Sequence, residues 1–178
     1  MKLIKAETKK QYARIRKLYK TAFPLQERKL FWLIKQKQKQ GLVDIWMLEQ
    51  NQEFAGLAIT MKNKDLVLLD YFAIAQNQRA SGQGSKALKC LLKYYEKKRF
   101  FLEIESTLGK AKNQKERERR KHFYLKNGMT EIGMVADVFG INMELLGYDC
   151  GLTFEEYISV YRNAYGRRKA KRLKRVPI

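Results

Sequence analysis

The stretch Arg79-Ala80-Ser81-Gly82-Gln83-Gly84 holds the residue types from which a chain builds an anion cradle. Its two glycines lack a Cβ, so the backbone can approach a ligand closely and turn N–H groups outward. Ser85-Lys86-Ala87-Leu88 follows at once and opens a helical pattern, whose N-terminus adds unpaired amides and a positive dipole end. That combination suits a pyrophosphate. It differs from a P-loop, because no Gly-Lys-Ser/Thr follows, and from the dinucleotide fingerprint, whose first glycine is here Arg79. By itself the pattern also fits a plain strand–helix turn. Other chemistry is sparse. The two cysteines, Cys90 and Cys150, and the single histidine, His122, make no ligand set, so no metal is expected. Carboxylates able to move protons stand at Asp70, Glu103 and Glu105, and the last two share one face if their segment is a strand.

The elements around these residues are readable from period and punctuation. Lys2–Ala6 reads as a short strand, and Thr8 with Gln11 has capping-box spacing before the helical period of Tyr12, Ile15, Leu18 and Tyr19. Phe23-Pro24 breaks that helix; Pro24 suits the first turn of the next, which carries Leu30, Phe31, Leu33 and Ile34 and stops at Gly41. Three apolar runs, Leu42–Leu48, Phe54–Met61 and Leu66–Ala75, separated by short polar gaps, predict an antiparallel meander. Ala87, Leu88, Leu91, Leu92 and Tyr95 recur at helical spacing, and Phe100–Glu105 is a strand. Lys110–Lys121 has seven basic and two acidic residues and leads into Tyr124 and Asn127-Gly128, a helix with a solvated face and a glycine stop. Met129–Val135 and Val138–Leu146 read as strands, and Thr153 with Glu156 caps a helix that turns Phe154, Tyr157, Ile158 and Tyr161 inward. Gly166–Ile178, with seven basic residues and no acid, reads as a frayed basic tail. The order β-α-α-β-β-β-α-β-α-β-β-α implies a mixed sheet with helices on both faces, the crossover after Ala75 favouring parallel pairing there.

Composition bounds the class. At 178 residues the chain fits one domain with one sizeable core, and 45% hydrophobic with 12% aromatic residues excludes a disordered polymer. No run is long and apolar enough to span a membrane, the start has no signal-peptide core, and two isolated cysteines suit a reducing compartment. A cytoplasmic location is expected. The charge is unusual: 38 Lys and Arg against 18 Asp and Glu give +20, a field that draws polyanions without naming one.

Arg79-x-x-Gly82-x-Gly84, after Tyr71-Phe72-Ala73-Ile74 and before a strong helix, resembles the GNAT acetyltransferase superfamily, whose signature is Arg/Gln-x-x-Gly-x-Gly/Ala between its fourth strand and third helix. The element order resembles that fold from Lys2 to about Leu146. The resemblance implies an α/β (α+β) chain with a mixed, mostly antiparallel sheet of six to seven strands between helices. It assigns 1–150 to the transferase domain, 151–165 to a C-terminal helix and 166–178 to the tail. It also implies an acyl-CoA-dependent N-acyltransferase that moves an acetyl group from acetyl-CoA to a primary amine by direct attack in a ternary complex. In that reading Arg79, Ala80, Ser81, Gly82, Gln83 and Gly84 hold the coenzyme A pyrophosphate, Ser85 and Lys86 sit beside it, and Ile74 bonds the pantetheine arm by its main chain. Tyr124 matches the family's helix-four tyrosine and becomes the acid toward the leaving sulfur. Asp70, two residues before Phe72, is the first choice of base and Glu105 the second; the oxyanion donor would be a fourth-strand amide. The sequence departs from the family where an asparagine and an alanine often precede that tyrosine; these are Arg117 and Arg120, leaving Asn113 as the substitute for the asparagine contact. His122 faces away from the phenol.

The acceptor stays open between a small-molecule and a peptide amine. Tyr19, Phe23, Phe31, Trp32 and Phe139 fall in the elements that line the family's acceptor pocket, although core packing accounts for such residues equally well. Two rival readings keep the fold without turnover. One is an acyl-CoA-binding sensor; the other is a nucleic-acid-binding module using the basic surface and tail. The assembly is expected to be a monomer or homodimer.

Overall fold

A computed structural model describes residues 1–79 and 82–177 of the chain. In order its elements are β1 (Lys2–Lys5), α1 (Lys9–Ala22), α2 (Phe31–Lys39), β2 (Val43–Gln50), β3 (Glu53–Asn63), β4 (Leu66–Ile74) and α3 (Gln83–Tyr94). They continue with β5 (Arg99–Glu105), α4 (Gln114–Lys126), β6 (Thr130–Val138), β7 (Ile141–Tyr148), α5 (Phe154–Tyr165), α6 (Arg167–Ala170) and β8 (Lys174–Val176). The strands follow the order β1-β2-β3-β4-β5-β7-β6-β8 in an eight-stranded sheet, one or two strands more than the sequence suggests. By internal contacts the chain divides into two compact units, Met1–Met61 with Leu69–Tyr94, and Lys62–Leu68 with Tyr95–Ile178.

In the first unit the capping box forms: Thr8 Oγ1 accepts from the Gln11 amide at 3.2 Å, and Gln11 Oε1 accepts from the Thr8 amide at 2.9 Å. Pro24 does not start α2. It precedes a short 3-10 turn, Leu25–Glu27, and α2 begins only at Phe31. Side-chain bonds explain the delay. Tyr19 and Tyr71 hydroxyls take the Lys29 amide at 2.8 and 3.1 Å, and Tyr19 donates to the Lys29 carbonyl, so this backbone is satisfied outside any helix. At the other end Gly41 adopts φ +74°, and Gly41 and Leu42 amides close onto the carbonyls of Gln38 and Lys37, a Schellman stop. Val43–Leu48 and Ala55–Met61 are buried without interruption, so both faces of β2 and β3 are covered. One covering contact sets Trp46 against Tyr94 of α3, ring centroids 4.7 Å apart. Gly56 of β3 leaves no room for a side chain beside β4; a Cβ there would meet the Ala73 carbonyl oxygen at 2.3 Å.

In the second unit β5, β7, β6 and β8 pair antiparallel in turn. The turn between β6 and β7 falls at Phe139-Gly140, three residues later than the Ala136-Asp137 gap the sequence suggests. Both turn residues have positive φ, +56° and +94°, the geometry that lets a two-residue turn follow strand twist. The second capping box also forms, with Glu156 donating its amide to Thr153 Oγ1 at 3.2 Å. The expected frayed tail is instead ordered. Ala170 and Leu173 are buried, and β8 pairs with β6 through Val176, Arg175 and Lys174 opposite Val135, Ala136 and Asp137. Two apolar side chains in a basic segment are enough to fold it back, a signal that charge counting overlooks.

Candidate active site

The glycine turn sits where β4 gives way to α3. Ile74 ends the strand, the Ala75 amide bonds the Ala55 carbonyl at 2.9 Å, and a 3-10 turn over Gln76–Gln78 leads to extended, exposed Arg79. Ala80 and Ser81 of the expected cradle lie outside the described residues. Gly82 holds φ +71°, a conformation that favours glycine, and its carbonyl accepts the Lys86 amide at 3.1 Å as the first bond of α3. The helix therefore begins two residues earlier than Ser85. That shift makes the amides of Gln83, Gly84 and Ser85 its first-turn donors, which no carbonyl inside the helix can accept. The Gln83 side chain is buried, and its Oε1 has no hydrogen-bond partner among the described residues. Arg79 Nε donates to the Ile74 carbonyl at 3.2 Å, so a ligand using that carbonyl would have to displace the guanidinium. Lys86 is exposed at the helix start.

Asp70 lies on β4 four residues before Ile74, its side chain 5% exposed, with Lys29 Nζ at 2.5 Å from Oδ1. The clamp of Tyr19 and Tyr71 on the Lys29 backbone aims this lysine, whose ammonium also lies 5.2 Å from the centre of the Tyr71 ring. Tyr71 in turn donates to the Glu27 carbonyl at 2.7 Å, and burial raises its pKa. The other Asp70 oxygen, Oδ2, is buried and has no hydrogen-bond partner among the described residues. One oxygen is committed; the other is not.

Glu105, in the second unit, is differently placed. Arg117 meets its Oε1 at 2.9 Å, Arg120 its Oε2 at 3.0 Å, and Asn113 Nδ2 donates to Oε1 at 3.4 Å. Asn113 Oδ1 accepts from Arg117 Nε at 2.9 Å, so its amide is engaged on both sides inside the chain. The residues that break the family pattern, Arg117 and Arg120, thus have a shared partner. Tyr124 shares α4 with them; it is buried, and burial pushes its pKa up to about 12 against a smaller lowering by Arg120. No partner for its hydroxyl is found among the described residues. His122 is exposed. Nearby, Glu144 accepts from Lys121 at 2.6 Å, from the Thr107 hydroxyl at 2.9 Å and from the Thr107 amide, tying the segment after β5 to β7.

No protein-family model matches the sequence, and no curated protein matches it by sequence. Solved structures do resemble it. A protein from Bacteroides thetaiotaomicron assigned to the GNAT acetyltransferase family aligns over 94% of this chain and 99% of its own, with 16% identity and TM-score 0.75. The ribosomal-protein-S18-alanine N-acetyltransferase of Escherichia coli aligns over 85% and 95%, with 18% identity and TM-score 0.61. An aminoglycoside 6'-N-acetyltransferase solved with coenzyme A aligns over 83% and 96%, with 12% identity and TM-score 0.65. The chain has the GNAT acetyltransferase fold.

Within this fold the expected residues separate into local groups. Ile74 and Arg79 meet directly in the first unit, which also holds Asp70, Gly82, Gln83, Gly84, Ser85 and Lys86. Glu105 and Asn113 meet directly in the second unit, which also holds Tyr124. Sequence reasoning missed Lys29, because nothing local distinguishes it from many other surface lysines; only its clamped backbone does. Among the suggested acceptor-lining aromatics, Tyr19 is core, packed on Phe23, Phe31 and Tyr71, while Trp32 is 64% exposed.

Proposed function

We propose that this chain is an N-acetyltransferase that moves an acetyl group from acetyl-CoA to a primary amine by direct attack in a ternary complex. The single observation that carries the reading is the start of α3: a positive-φ glycine, three first-turn amides at Gln83, Gly84 and Ser85, and a buried, unpartnered Gln83 oxygen. The amides and the helix dipole suit a diphosphate. The Gln83 oxygen asks for a donor, which the amides and hydroxyls of a pantetheine or nucleotide supply. Arg79 and Lys86 add charge on either side of the turn. The residues present therefore fit coenzyme A, whose thioester supplies the activated acyl group.

Asp70 is the proposed base. Its Oδ2 can accept the proton of an incoming ammonium, directly or through water, while Oδ1 stays on Lys29. Loss of that proton lets the nitrogen form its bond to the acyl carbon as the carbon–sulfur bond breaks. Tyr124, with its pKa near 12, does not surrender a proton outright to a thiolate whose acid has a pKa of about 8.5. It donates a hydrogen bond that stabilises the leaving sulfur; the nitrogen, now bonded to the acyl carbon, gives its second proton to the thiolate, and the first leaves Asp70 for solvent. Glu105, with both oxygens on arginines, is a weaker candidate for base. The chain works as a monomer or homodimer in the cytoplasm on a small-molecule or peptide amine, in keeping with the protein and aminoglycoside acceptors named for its structural neighbours.

Calorimetry with coenzyme A and a free-thiol release assay across an amine panel test this reading. Saturable binding with amine-dependent thiol release is expected. Binding without release would leave an acyl-CoA sensor, and no binding would remove the reading altogether.

A further inference from the structure

The segment after α5 carries charge in a way that acetyl transfer does not use. From Tyr157 onward the chain contains no acidic residue, while Arg162, Arg167, Arg168, Lys169, Lys171, Arg172, Lys174 and Arg175 are all exposed. Among the described residues, Arg162 alone of these eight makes an ion pair, at 3.4 Å with exposed Glu155. The cations are held in place. Buried Ala170 and Leu173 anchor α6 and the turn beyond it, and β8 is registered on β6. Arg172 lies 5.2 Å from the centre of the Phe139 ring and Lys169 5.4 Å from that of Tyr165. Arg162, Arg167 and Lys171 line a concave pocket of about 320 Å³ floored by Ile158 and Ala170.

Holding seven cations within the nine ordered residues 167–175 costs free energy that a mobile tail would avoid by spreading out, since neighbouring charges repel over a Debye length of about 8 Å at physiological salt. Protection of a sheet edge is too small a task for this array. A charge or two on the edge strand would serve, and only Lys174 and Arg175 lie on β8. We propose that the α5–α6–β8 corner is a docking surface for the phosphodiester backbone of a nucleic acid. The guanidinium groups match phosphate oxygens bidentately, and the apolar floor between Arg162, Arg167 and Lys171 accepts a sugar or base edge. This site is independent of the acetyl-transfer reading.

The test measures binding of the full chain to labelled single-stranded RNA and to a DNA duplex between about 50 and 200 mM salt. One variant carries Arg167→Gln, Arg168→Gln, Lys171→Gln and Arg172→Gln. A control with the same charge loss carries Lys9→Gln, Lys10→Gln, Arg14→Gln and Lys17→Gln on the exposed side of α1. The corner variant is expected to bind at least tenfold more weakly at 100 mM salt. Its slope of log K against log salt should fall by about 3, at roughly 0.7–0.9 per lost phosphate contact. The control should keep most of its affinity, and Arg167→Lys, Arg168→Lys and Arg172→Lys together, which keep the charge and lose the bidentate fork, should weaken binding less than the glutamine variant does. Melting temperatures confirm that each variant folds. The two nucleic-acid arms tell which backbone is preferred. Equal losses in corner and control variants would assign the affinity to the whole-protein field and overturn the proposal. So would absence of nucleic-acid binding at 50 mM salt, or binding to phosphatidylserine vesicles alone.

Discussion

Asp70 and Glu105 are both strand carboxylates beside basic partners, and the two sites treat them oppositely. Glu105 gives one oxygen to Arg117 and the other to Arg120, with Asn113 as a third contact. Two guanidiniums leave that carboxylate saturated, and the cluster ties α4 to β5. Asp70 has one lysine on one oxygen and nothing among the described residues on the other, although its side chain is 5% exposed. A buried lone pair without a donor costs about 1–3 kcal/mol. Such a deficit is tolerated where a ligand supplies the donor, the part given to an incoming ammonium in the proposed mechanism. Under the proposed roles, the number of committed oxygens, more than the presence of a nearby cation, is what separates the candidate base from the carboxylate that ties elements together.

The largest expected effect breaks that contrast directly. Asp70→Asn should lower kcat/KM about 10²–10⁴-fold with coenzyme affinity held, the range general-base losses reach. The substitution also strands Lys29 beside an amide, so Asp70→Asn with Lys29→Met serves as a companion. If the single variant is slow only because Lys29 is stranded, the double variant regains activity and the base lies elsewhere. Next in size, Tyr124→Phe should slow turnover by about 30-fold, or about 2 kcal/mol of transition-state stabilisation, with coenzyme binding unchanged. A rate equal to that of the parent chain would remove Tyr124 from the chemistry.

How much of this was legible in the sequence varies by the range of the interaction. The capping boxes at Thr8 and Thr153, the Gly41 stop and the meander of β2 to β4 came through because each rests on neighbours within a few residues. The glycine turn was legible as the passage from strand to helix, but its helix begins at Gln83, since the first bond depends on the Gly82 conformation. Partners at long separation were invisible. Lys29 reaches Asp70 across 41 residues, and Glu105 reaches Arg120 across 15. Arg117 and Arg120 looked like departures from a family pattern, and the reason for them appears only once Glu105 stands between them. The ordered corner at α6 and β8 was misread for a different reason. Seven cations outweighed Ala170 and Leu173 in the count, yet those two side chains decide where the segment goes.

A smaller effect sharpens the same comparison from the structural side. Glu105→Gln should leave the pH–rate profile unmoved while lowering stability by about 1–2 kcal/mol, the partial exposure of Arg120 keeping the loss below that of a fully buried pair. For a chain of this size that corresponds to a fall in Tm of about 2–8 °C. Reversed results, with an altered profile from Glu105→Gln and an unaltered one from Asp70→Asn, would exchange the two roles.

The smallest effect concerns the alkaline side of the profile. Burial raises Tyr124 to about 12, so the folded chain holds that proton more tightly than the unfolded chain, whose tyrosines titrate near 10. Two consequences have opposite visibility. Stability contributed by the neutral phenol is complete below pH 10 and is lost as the pH climbs from there toward 12, because only the unfolded state ionises in that window. Activity should show no descending limb below about pH 10, since Tyr124 remains a donor while the amine becomes progressively deprotonated and the rate rises. A descending limb near pH 9 that disappears in Tyr124→Phe would mean that the phenol ionises early. It would then have to sit in a more polar setting than its burial indicates, and its assignment as a neutral donor to the departing sulfur would fail.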